Sequence, residues 1–311
     1  MMLKHTGGEM IPKAALIAIA ATLVLFNTAA ASPFTSVVVY GDSLADNGNL
    51  FAATGYPPFP YSNGRSSNGP VAVERLAVLL NAPLIDFAWA GATTGIGNHL
   101  DNGTPTSIVA LPGMRTTFEA TRSSLTPFLD GLFVVWGGPN DFLSPAAGDI
   151  TVDAIVNRAV TDILYLVHQL QGLGARNILV PGMPDLGLTP TYAAQGPLVA
   201  GGASAVSNAF NANLRSRLPS GTTYFDTASL LRSVVANPAA YGFNNVTAPC
   251  FTGFSVCATP DTYLFWDDFH PTAAGHAILA REFATAVPEP GSILIMVSGL
   301  VLLIAAKRSQ S

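Results

Sequence analysis

Ser43, Asp267 and His270 are the residues whose types and spacing could support nucleophilic chemistry in this chain. A serine hydroxyl is a poor nucleophile near neutral pH, so it needs a base within hydrogen-bond reach and a third group that orients the base. Asp267 and His270 stand three residues apart in one predicted turn and could supply both groups. The residues alone leave open a simpler interpretation, in which Asp42 or Ser43 only caps a helix, as both residue types commonly do.

Gly91 and Asn140 could complete such a site, because each of them follows a predicted strand. The backbone N–H of Gly91 and the side-chain amide of Asn140 could donate hydrogen bonds to an oxyanion that forms during acyl transfer. The alternative for Asn140 is that its side chain only caps a turn.

Alternating strand and helix patterns supply the elements that would position these residues. Short runs rich in β-branched residues predict strands, and longer segments with apolar residues at helical spacing predict helices. The predicted strands cover residues 37–40, 84–88, 132–136, 177–180 and 222–225, and the predicted helices cover residues 71–80, 152–170, 199–217, 228–236 and 273–286. This alternation implies a parallel sheet with helices on both faces. Ser43 would then lie at the carboxyl end of a strand, where ligands bind in open α/β sheets.

The segment from Thr54 to Gly69 is rich in Pro, Gly, Asn and Tyr, and it cannot hold a regular helix. Because this segment follows the serine turn, we expect it to line the entrance for a substrate. An ordinary surface loop is the alternative.

Length and composition exclude several classes of function. The chain has 311 residues without a linker-like stretch in the middle, which favours one large domain. Its net charge of -5 argues against a nucleic-acid partner, because phosphate binding needs clustered Lys and Arg. There is no Walker loop and no His-Glu-x-x-His motif, so we expect no nucleotide, no catalytic metal and no other cofactor. The Gly-x-Ser-x-Gly elbow of the larger α/β-hydrolase class is also absent.

The N-terminal segment has the pattern of a secretory signal. Basic residues precede an apolar run at residues 14–26, and small residues at 29–31 fit a cleavage site. We therefore predict a signal peptide over residues 1–31. An uncleaved membrane anchor is the alternative, although the apolar run is short for a span of about 20 residues.

The C-terminal segment, residues 288–311, has three parts in a fixed order. Pro288-Glu289-Pro290 is followed by an apolar run at residues 293–306 and then by Lys307-Arg308. This order resembles the PEP-CTERM sorting signal of exported bacterial proteins. The resemblance implies transient membrane association of the apolar helix, recognition by an exosortase-like sorting protease, and removal of the tail. A C-terminal core helix is the alternative.

Cys250 and Cys257 are the only cysteines of the chain, and they lie close together in the sequence. Oxidising compartments favour the pairing of such cysteines, so we predict a disulfide between them. Two cysteines without a spaced His pair do not make a zinc site.

Four motifs together carry a resemblance to a known family. They occur in the order Gly41-Asp42-Ser43-Leu44, Gly91, Gly138-Pro139-Asn140-Asp141 and Asp267-Asp268-Phe269-His270. In these motifs the chain resembles the GDSL, or SGNH, hydrolase family, with residues 32–287 as the hydrolase domain. The resemblance implies a flavodoxin-like three-layer α/β/α sandwich with a parallel sheet.

The resemblance also implies a role for each site residue. Ser43 would be the nucleophile and His270 the base, with Asp267 as the acid, since the family motif places the acid three residues before the histidine. The oxyanion hole would comprise the backbone N–H groups of Ser43 and Gly91 and the side chain of Asn140. Asp268 is the alternative acid in the sequence.

The expected activity is hydrolysis of carboxylic esters through a covalent acyl-serine intermediate. The stretch from Phe59 to Arg65 and the stretch from Trp266 to Thr272 look like the lipase, phospholipase and plant-type esterase branch of the family. The export signals predict passage through the inner membrane to the cell surface, the extracellular matrix or the medium. The alternatives are a carbohydrate O-acetylesterase acting on extracellular polysaccharide and a non-catalytic surface or matrix binding protein.

Overall fold

The structure, a computed structural model, describes residues 34–102 and 110–287. The predicted signal peptide at 1–31 and the predicted sorting segment at 288–311 lie outside the described residues. No helix within the described ranges is long and apolar enough to cross a membrane.

Within the described ranges, five strands form one parallel sheet, and two further strands pair in parallel with each other. Along the sheet the strand order is β2-β1-β3-β4-β5. The strands of the described ranges are β1 (Val37–Gly41), β2 (Leu84–Asp86), β3 (Leu132–Trp136), β4 (Asn177–Pro181), β5 (Thr222–Phe225), β6 (Asn245–Pro249) and β7 (Tyr263–Phe265).

The strands β1 and β3 lie in the middle of the sheet, and all of their residues are buried. A strand covered on both faces can be apolar at every position, which explains why neither run alternates with polar residues. The two strands pair from Val37 opposite Leu132 to Gly41 opposite Trp136. From β1 the chain continues to β2 on one side and later to β3 on the other. The strand order therefore reverses between β1 and β3, where open α/β sheets bind ligands.

Helices cover both faces of the sheet. They are α1 (Asn49–Thr54), α2 (Ala72–Leu79), α3 (Met114–Thr121), α4 (Pro139–Leu143), α5 (Val152–Leu173), α6 (Pro190–Ala193), α7 (Pro197–Arg217), α8 (Thr227–Ala236) and α9 (Ala273–Ala286). Short 3₁₀ turns cover His99–Asn102, Arg122–Ser124, Thr126–Phe128, Leu186–Leu188, Pro238–Tyr241 and Pro260–Thr262.

Alternate residues of β1 contribute to two separate hydrophobic cores. Val38 and Tyr40 point to the core that holds the buried faces of α3, α5 and α7. Val37 and Val39 point to the core that holds α2 and α9. The predicted three-layer α/β/α architecture with a parallel sheet is therefore confirmed.

The structure differs from the sequence prediction mainly at short elements. Strand β2 ends at Asp86, two residues before its predicted end, although the backbone N–H groups of Phe87 and Trp89 still donate to carbonyls of β1. The pair β6 and β7 was not predicted, since each strand is short and neither has a long apolar run.

Cys250 and Cys257 form a disulfide that closes a small loop after β6. Two backbone hydrogen bonds join this loop to β7 and the residue that follows it: Cys250 donates to the carbonyl of Phe265, and Phe251 donates to the carbonyl of Trp266. The disulfide loop is thereby fixed to the segment that leads directly into Asp267.

Candidate active site

Ser43, His270 and Asp267 form one continuous chain of hydrogen bonds. The Nε2 atom of His270 lies 2.9 Å from the Ser43 hydroxyl oxygen. On the other side of the ring, Nδ1 lies 2.8 Å from Oδ2 and 2.9 Å from Oδ1 of Asp267. The structure thus brings together a hydroxyl and an imidazole that are 227 residues apart in the sequence. In this arrangement, His270 can take the proton of the Ser43 hydroxyl while Asp267 orients the ring.

Ser43 is delivered by the end of β1 and the turn after it. Gly41 closes the strand at a position where a Cβ atom would lie 2.8 Å from the carbonyl oxygen of Trp136. Asp42 then folds its side chain back to accept a hydrogen bond from the backbone N–H of Leu44, a local turn that Asp commonly makes. These contacts fix the backbone on both sides of Ser43.

Asp267 is held by the turn between β7 and α9. Its Oδ1 atom accepts hydrogen bonds from the backbone N–H groups of Phe269 and His270, at 2.9 Å and 2.7 Å. The same turn is closed by a hydrogen bond from the N–H of Trp266 to the carbonyl of His270. The acid is therefore oriented by the backbone of its own turn, whereas the side chain of Asp268 makes no hydrogen bond within the described ranges.

The protonation equilibria of the pair are coupled through their short contact. Burial would lower the pKa of His270, but the negative charge of Asp267 and the hydrogen bond to it outweigh burial and raise that pKa above its usual value. Burial would raise the pKa of Asp267, and the charge of His270 together with the hydrogen bonds to the carboxylate lowers it instead. Asp267 is therefore ionised across the neutral range, and its hydrogen bond favours the tautomer with the proton on Nδ1.

Three N–H donors are available near Ser43 for an oxyanion. Among the described residues, the backbone N–H groups of Ser43 and Gly91 have no hydrogen-bond partner. The side-chain amide of Asn140 donates one hydrogen bond to the carbonyl of Ala92, at 3.0 Å, and keeps its second N–H free. All three residues line the same cleft. The fixed amide orientation is what a preorganised oxyanion donor requires.

Asp46 joins the serine loop to the Gly91 turn. Its carboxylate accepts hydrogen bonds from the backbone N–H groups of Gly48, Asn49 and Leu50 at the start of α1. It also accepts a fourth hydrogen bond, of 2.7 Å, from the N–H of Ala90. Burial raises the pKa of Asp46, and the four backbone donors oppose that rise.

Asp141 joins the Gly91 turn to the Asn140 helix in a similar way. Its buried carboxylate accepts hydrogen bonds from the backbone N–H and the hydroxyl of Thr94. It also forms a 2.7 Å ion pair with Arg158, which reaches it from α5 and binds Asp149 as well. Arg158 lies 17 residues from Asp141 and outside the four sequence motifs, so the sequence gives no signal for this ion pair.

The segments that carry Ser43, Gly91, Asn140 and His270 line a cleft of about 360 Å³. The segment predicted to line the entrance contributes Tyr56, Pro57, Tyr61 and Ser66 to its wall. His99 also lines the cleft, with Nδ1 2.8 Å from the Ser144 hydroxyl. No sequence motif relates His99 to Ser144, because they follow different strands. Within the described ranges, no group of three His, Cys, Asp or Glu side chains is arranged to hold a metal ion.

His276 lies in α9 and is fully buried. Its Nδ1 atom accepts a hydrogen bond from the backbone N–H of Ala72 at the start of α2. Burial lowers the pKa of His276 to about 3, so the ring is neutral and can act as that acceptor.

The fold and the site agree with a family comparison. The model of the GDSL-like lipase/acylhydrolase family matches residues 37–283 of the chain. The chain belongs to this family, and it is a carboxylic ester hydrolase.

Three curated relatives illustrate the range of the family. A GDSL esterase/lipase of Arabidopsis thaliana is 28% identical over 79% of this chain and 80% of its own length. A phosphatidylcholine-sterol acyltransferase of Aeromonas hydrophila is 25% identical over 82% of this chain and 90% of its own length. A thermolabile hemolysin of Vibrio parahaemolyticus is 28% identical over 82% of this chain and 65% of its own length.

Solved structures with a similar fold include two acetylxylan esterases. The enzyme AlAXEase aligns with a TM-score of 0.47 and 12% identity over 81% of this chain and all of its own. The enzyme Axe2 of Geobacillus stearothermophilus aligns with a TM-score of 0.46 and 15% identity over 81% of this chain and 93% of its own.

The Gly91 turn provides a test of the donor arrangement. Gly91 has a φ of 80°, and an added Cβ atom would meet Asn98 Oδ1 and, at 2.7 Å, Leu100 Cγ. We predict that Gly91→Ala lowers the free energy of unfolding by about 1–3 kcal/mol and reduces kcat/KM on a soluble ester. Gly97→Ala is the control, because a Cβ there meets nothing within 4 Å. Denaturant unfolding and ester kinetics would check both variants. Equal behaviour of the two variants would contradict the assignment of Gly91.

Proposed function

We propose that the chain is an exported serine hydrolase of the lipase, esterase or phospholipase type, with Ser43 as its nucleophile. The observation that carries this proposal is the 2.9 Å contact between His270 Nε2 and the Ser43 hydroxyl, with Asp267 bound to the opposite ring nitrogen. A non-catalytic surface or matrix protein would have no need for this arrangement.

In the first half of the reaction, His270 Nε2 takes the proton of Ser43 as the serine oxygen attacks the ester carbonyl carbon. Asp267 stabilises the imidazolium that forms, because its carboxylate already faces Nδ1. The carbonyl oxygen becomes an oxyanion and accepts hydrogen bonds from Ser43, Gly91 and Asn140. His270 then gives its proton to the departing alkoxide, the C–O bond breaks, and the acyl group stays on Ser43.

In the second half, a water molecule replaces the alcohol. His270 takes a proton from the water as its oxygen attacks the acyl carbon. The second tetrahedral species collapses, Ser43 leaves and recovers its proton from His270, and a carboxylic acid is released. The same donors serve both tetrahedral species, so no group has to move far between the two halves.

The walls of the cleft support an apolar acyl chain in the substrate. Tyr56, Pro57, Leu143 and Phe269 all line it, and each has an apolar surface. A second, apolar cavity adjoins the cleft, but its volume is only about 50 Å³. This side cavity is smaller than an engineered cavity of about 150 Å³ that binds benzene, and the cleft at Ser43 is several times larger. The chain of the substrate would therefore lie along the 360 Å³ cleft.

The relatives support the same substrate class, since one is a phosphatidylcholine-sterol acyltransferase and others are esterase/lipases. We place the chain in the lipase, phospholipase and plant-type branch on the motifs from Phe59 to Arg65 and from Trp266 to Thr272. A carbohydrate O-acetylesterase with the same site is the second candidate. It is favoured by the polar part of the cleft, where His99 and Asp268 lie.

The proposed location depends on the two terminal segments. A signal peptide at 1–31 would direct export, and the PEP-CTERM-like segment at 288–311 would engage an exosortase-like protease and the membrane transiently. The mature enzyme would then act at the cell surface, in the extracellular matrix or in the medium.

The role of Ser43 can be tested by one substitution. We predict that Ser43→Ala abolishes hydrolysis of p-nitrophenyl esters and labelling by a fluorophosphonate probe, with an unchanged melting temperature, because only the nucleophilic oxygen is lost. Turnover and labelling of the purified residues 32–287 would be compared with those of the unaltered protein. Undiminished turnover or labelling in Ser43→Ala would remove Ser43 from the mechanism.

The substrate class can be tested by comparing esters. We predict that p-nitrophenyl esters with longer acyl chains and phospholipids are hydrolysed with a higher kcat/KM than acetylated xylan or xylooligosaccharides, because the cleft offers apolar contacts along its length. A preference for acetylated sugars, with little activity on longer chains, would instead select the carbohydrate esterase.

The pH dependence follows from the protonation of His270. The ring must be neutral at Nε2 to act as a base, and its pKa is raised above the usual value of about 6.5. We therefore predict that kcat/KM falls as the pH decreases, with its midpoint above pH 6.5. Asp267→Asn removes the charge that raises this pKa, so any residual activity, lower by about 10⁴ as in comparable triads, should persist to lower pH.

A control separates His270 from a neighbouring acid. Burial raises the pKa of Asp42 to about 7, so its carboxyl also titrates in this range. In Asp42→Asn the fall of kcat/KM at low pH should remain, with its midpoint at slightly lower pH, because the Asp42 charge also raises the pKa of His270. If this fall disappears in Asp42→Asn, the titrating group is Asp42 and not His270.

A further inference from the structure

Tyr61 contacts the proposed triad from outside its own turn. Its hydroxyl donates a 2.9 Å hydrogen bond to Oδ2 of Asp267, across 206 residues of sequence. The other partners of the Asp267 carboxylate among the described residues are Phe269 and His270, which belong to the same turn. Tyr61 is therefore the group that ties the acid to another part of the molecule.

The two backbone donors and Tyr61 act on different oxygens of the carboxylate. The backbone N–H groups of Phe269 and His270 both bind Oδ1. The hydroxyl of Tyr61 binds Oδ2, the oxygen that also lies 2.8 Å from Nδ1 of His270. Tyr61 therefore adds a donor on the second oxygen, from outside the turn, to the restraint that the two backbone donors place on the first.

The direction of the Tyr61 hydrogen bond is fixed by chemistry. Asp267 is ionised, and an ionised carboxylate can only accept, so the phenol must donate. Burial, the charge of Asp267 and the hydrogen bond to it all raise the pKa of Tyr61 above its usual value. The phenol thus keeps its proton over the whole range in which His270 titrates.

The ring of Tyr61 is held by the same substructure that holds Asp267. It packs edge-to-face against Phe251 of the disulfide loop and against Trp266, with ring centroids 5.6 Å and 6.3 Å away. Phe251 stacks in turn on Trp266, which directly precedes Asp267. Such aromatic pairs have preferred geometries, so the packing of the ring restricts the Tyr61 side chain to a conformation in which its hydroxyl faces Asp267.

We propose that Tyr61 is a positioning residue of the catalytic triad, whose hydroxyl holds Oδ2 of Asp267 against His270. The inference rests on the proposed function of Ser43, Asp267 and His270. Tyr61 does not touch the reacting atoms; it acts through Asp267.

The decisive variant is Tyr61→Phe, which keeps the ring and removes the hydroxyl. We predict that kcat falls about tenfold or more and KM changes little, because a hydrogen bond to a charged group is lost and substrate contacts are kept. Tyr241→Phe is the matched control, since Tyr241 packs against the cluster around Val234 and Phe243, away from the cleft, and its hydroxyl makes no hydrogen bond among the described residues. Tyr241→Phe should stay within twofold of the unaltered enzyme.

A second measurement needs no substrate. The partial positive charge of the Tyr61 hydroxyl proton disfavours the imidazolium, so its removal should raise the pKa of His270, seen by NMR titration of the ring. A merely structural role for Tyr61 would lower the melting temperature and leave this pKa in place. The inference is overturned if Tyr61→Phe leaves both kcat and the His270 pKa unchanged. Failure of the proposed function would show separately, as undiminished turnover in Ser43→Ala.

Discussion

The hydrogen bond between Ser43 and His270 is the interaction on which the rest of the site depends, because it joins loops 227 residues apart. Three hydrogen bonds join the segment before α2 and its first residue to the segment around the start of α9. The hydroxyl of Ser67 donates to the carbonyl of Pro271, the N–H of Ala273 donates to Asn68, and the N–H of Ala72 donates to His276. These contacts position the start of α9 against α2. His270, just before α9, is thus placed by helix packing, while Ser43 is placed by the central strand β1.

Buried carboxylates give the site its rigidity at a cost in solvation. Asp46, Asp86 and Asp141 all have a pKa raised by burial, which means that the folded state disfavours their charged forms. Each is compensated by backbone donors, and Asp141 also by Arg158. A buried ion pair of this kind adds little net stability, because the cost of desolvating the two charges offsets their attraction. The hydrogen bonds of Asp46 to Ala90 and of Asp141 to Thr94 hold the Gly91 turn against the neighbouring loops, so the N–H donors converge before any substrate arrives.

The elements with strong local patterns could be predicted from the sequence, and the contacts between distant residues could not. Strand β3 and helix α9 were predicted with the bounds that the structure has, because one is a continuous apolar run and the other has a clear helical period. The site motifs were visible because each is local. The contact of Tyr61 with Asp267 and the ion pair of Asp141 with Arg158 join residues that no local pattern relates. Their existence depends on the three-dimensional packing of loops.

Catalysis and substrate selection usually depend on different parts of this type of fold. The reacting groups lie at the ends of central strands, while the connecting loops form the walls of the cleft. In this chain the segment from Thr54 to Gly69 contributes both to the cleft wall and to the contacts of the triad. Tyr56 and Pro57 form part of the cleft wall, and Tyr61, a few residues later, reaches Asp267. A change of this loop that reshapes the cleft therefore also acts on the segment that carries Tyr61, a hydrogen-bond partner of the acid.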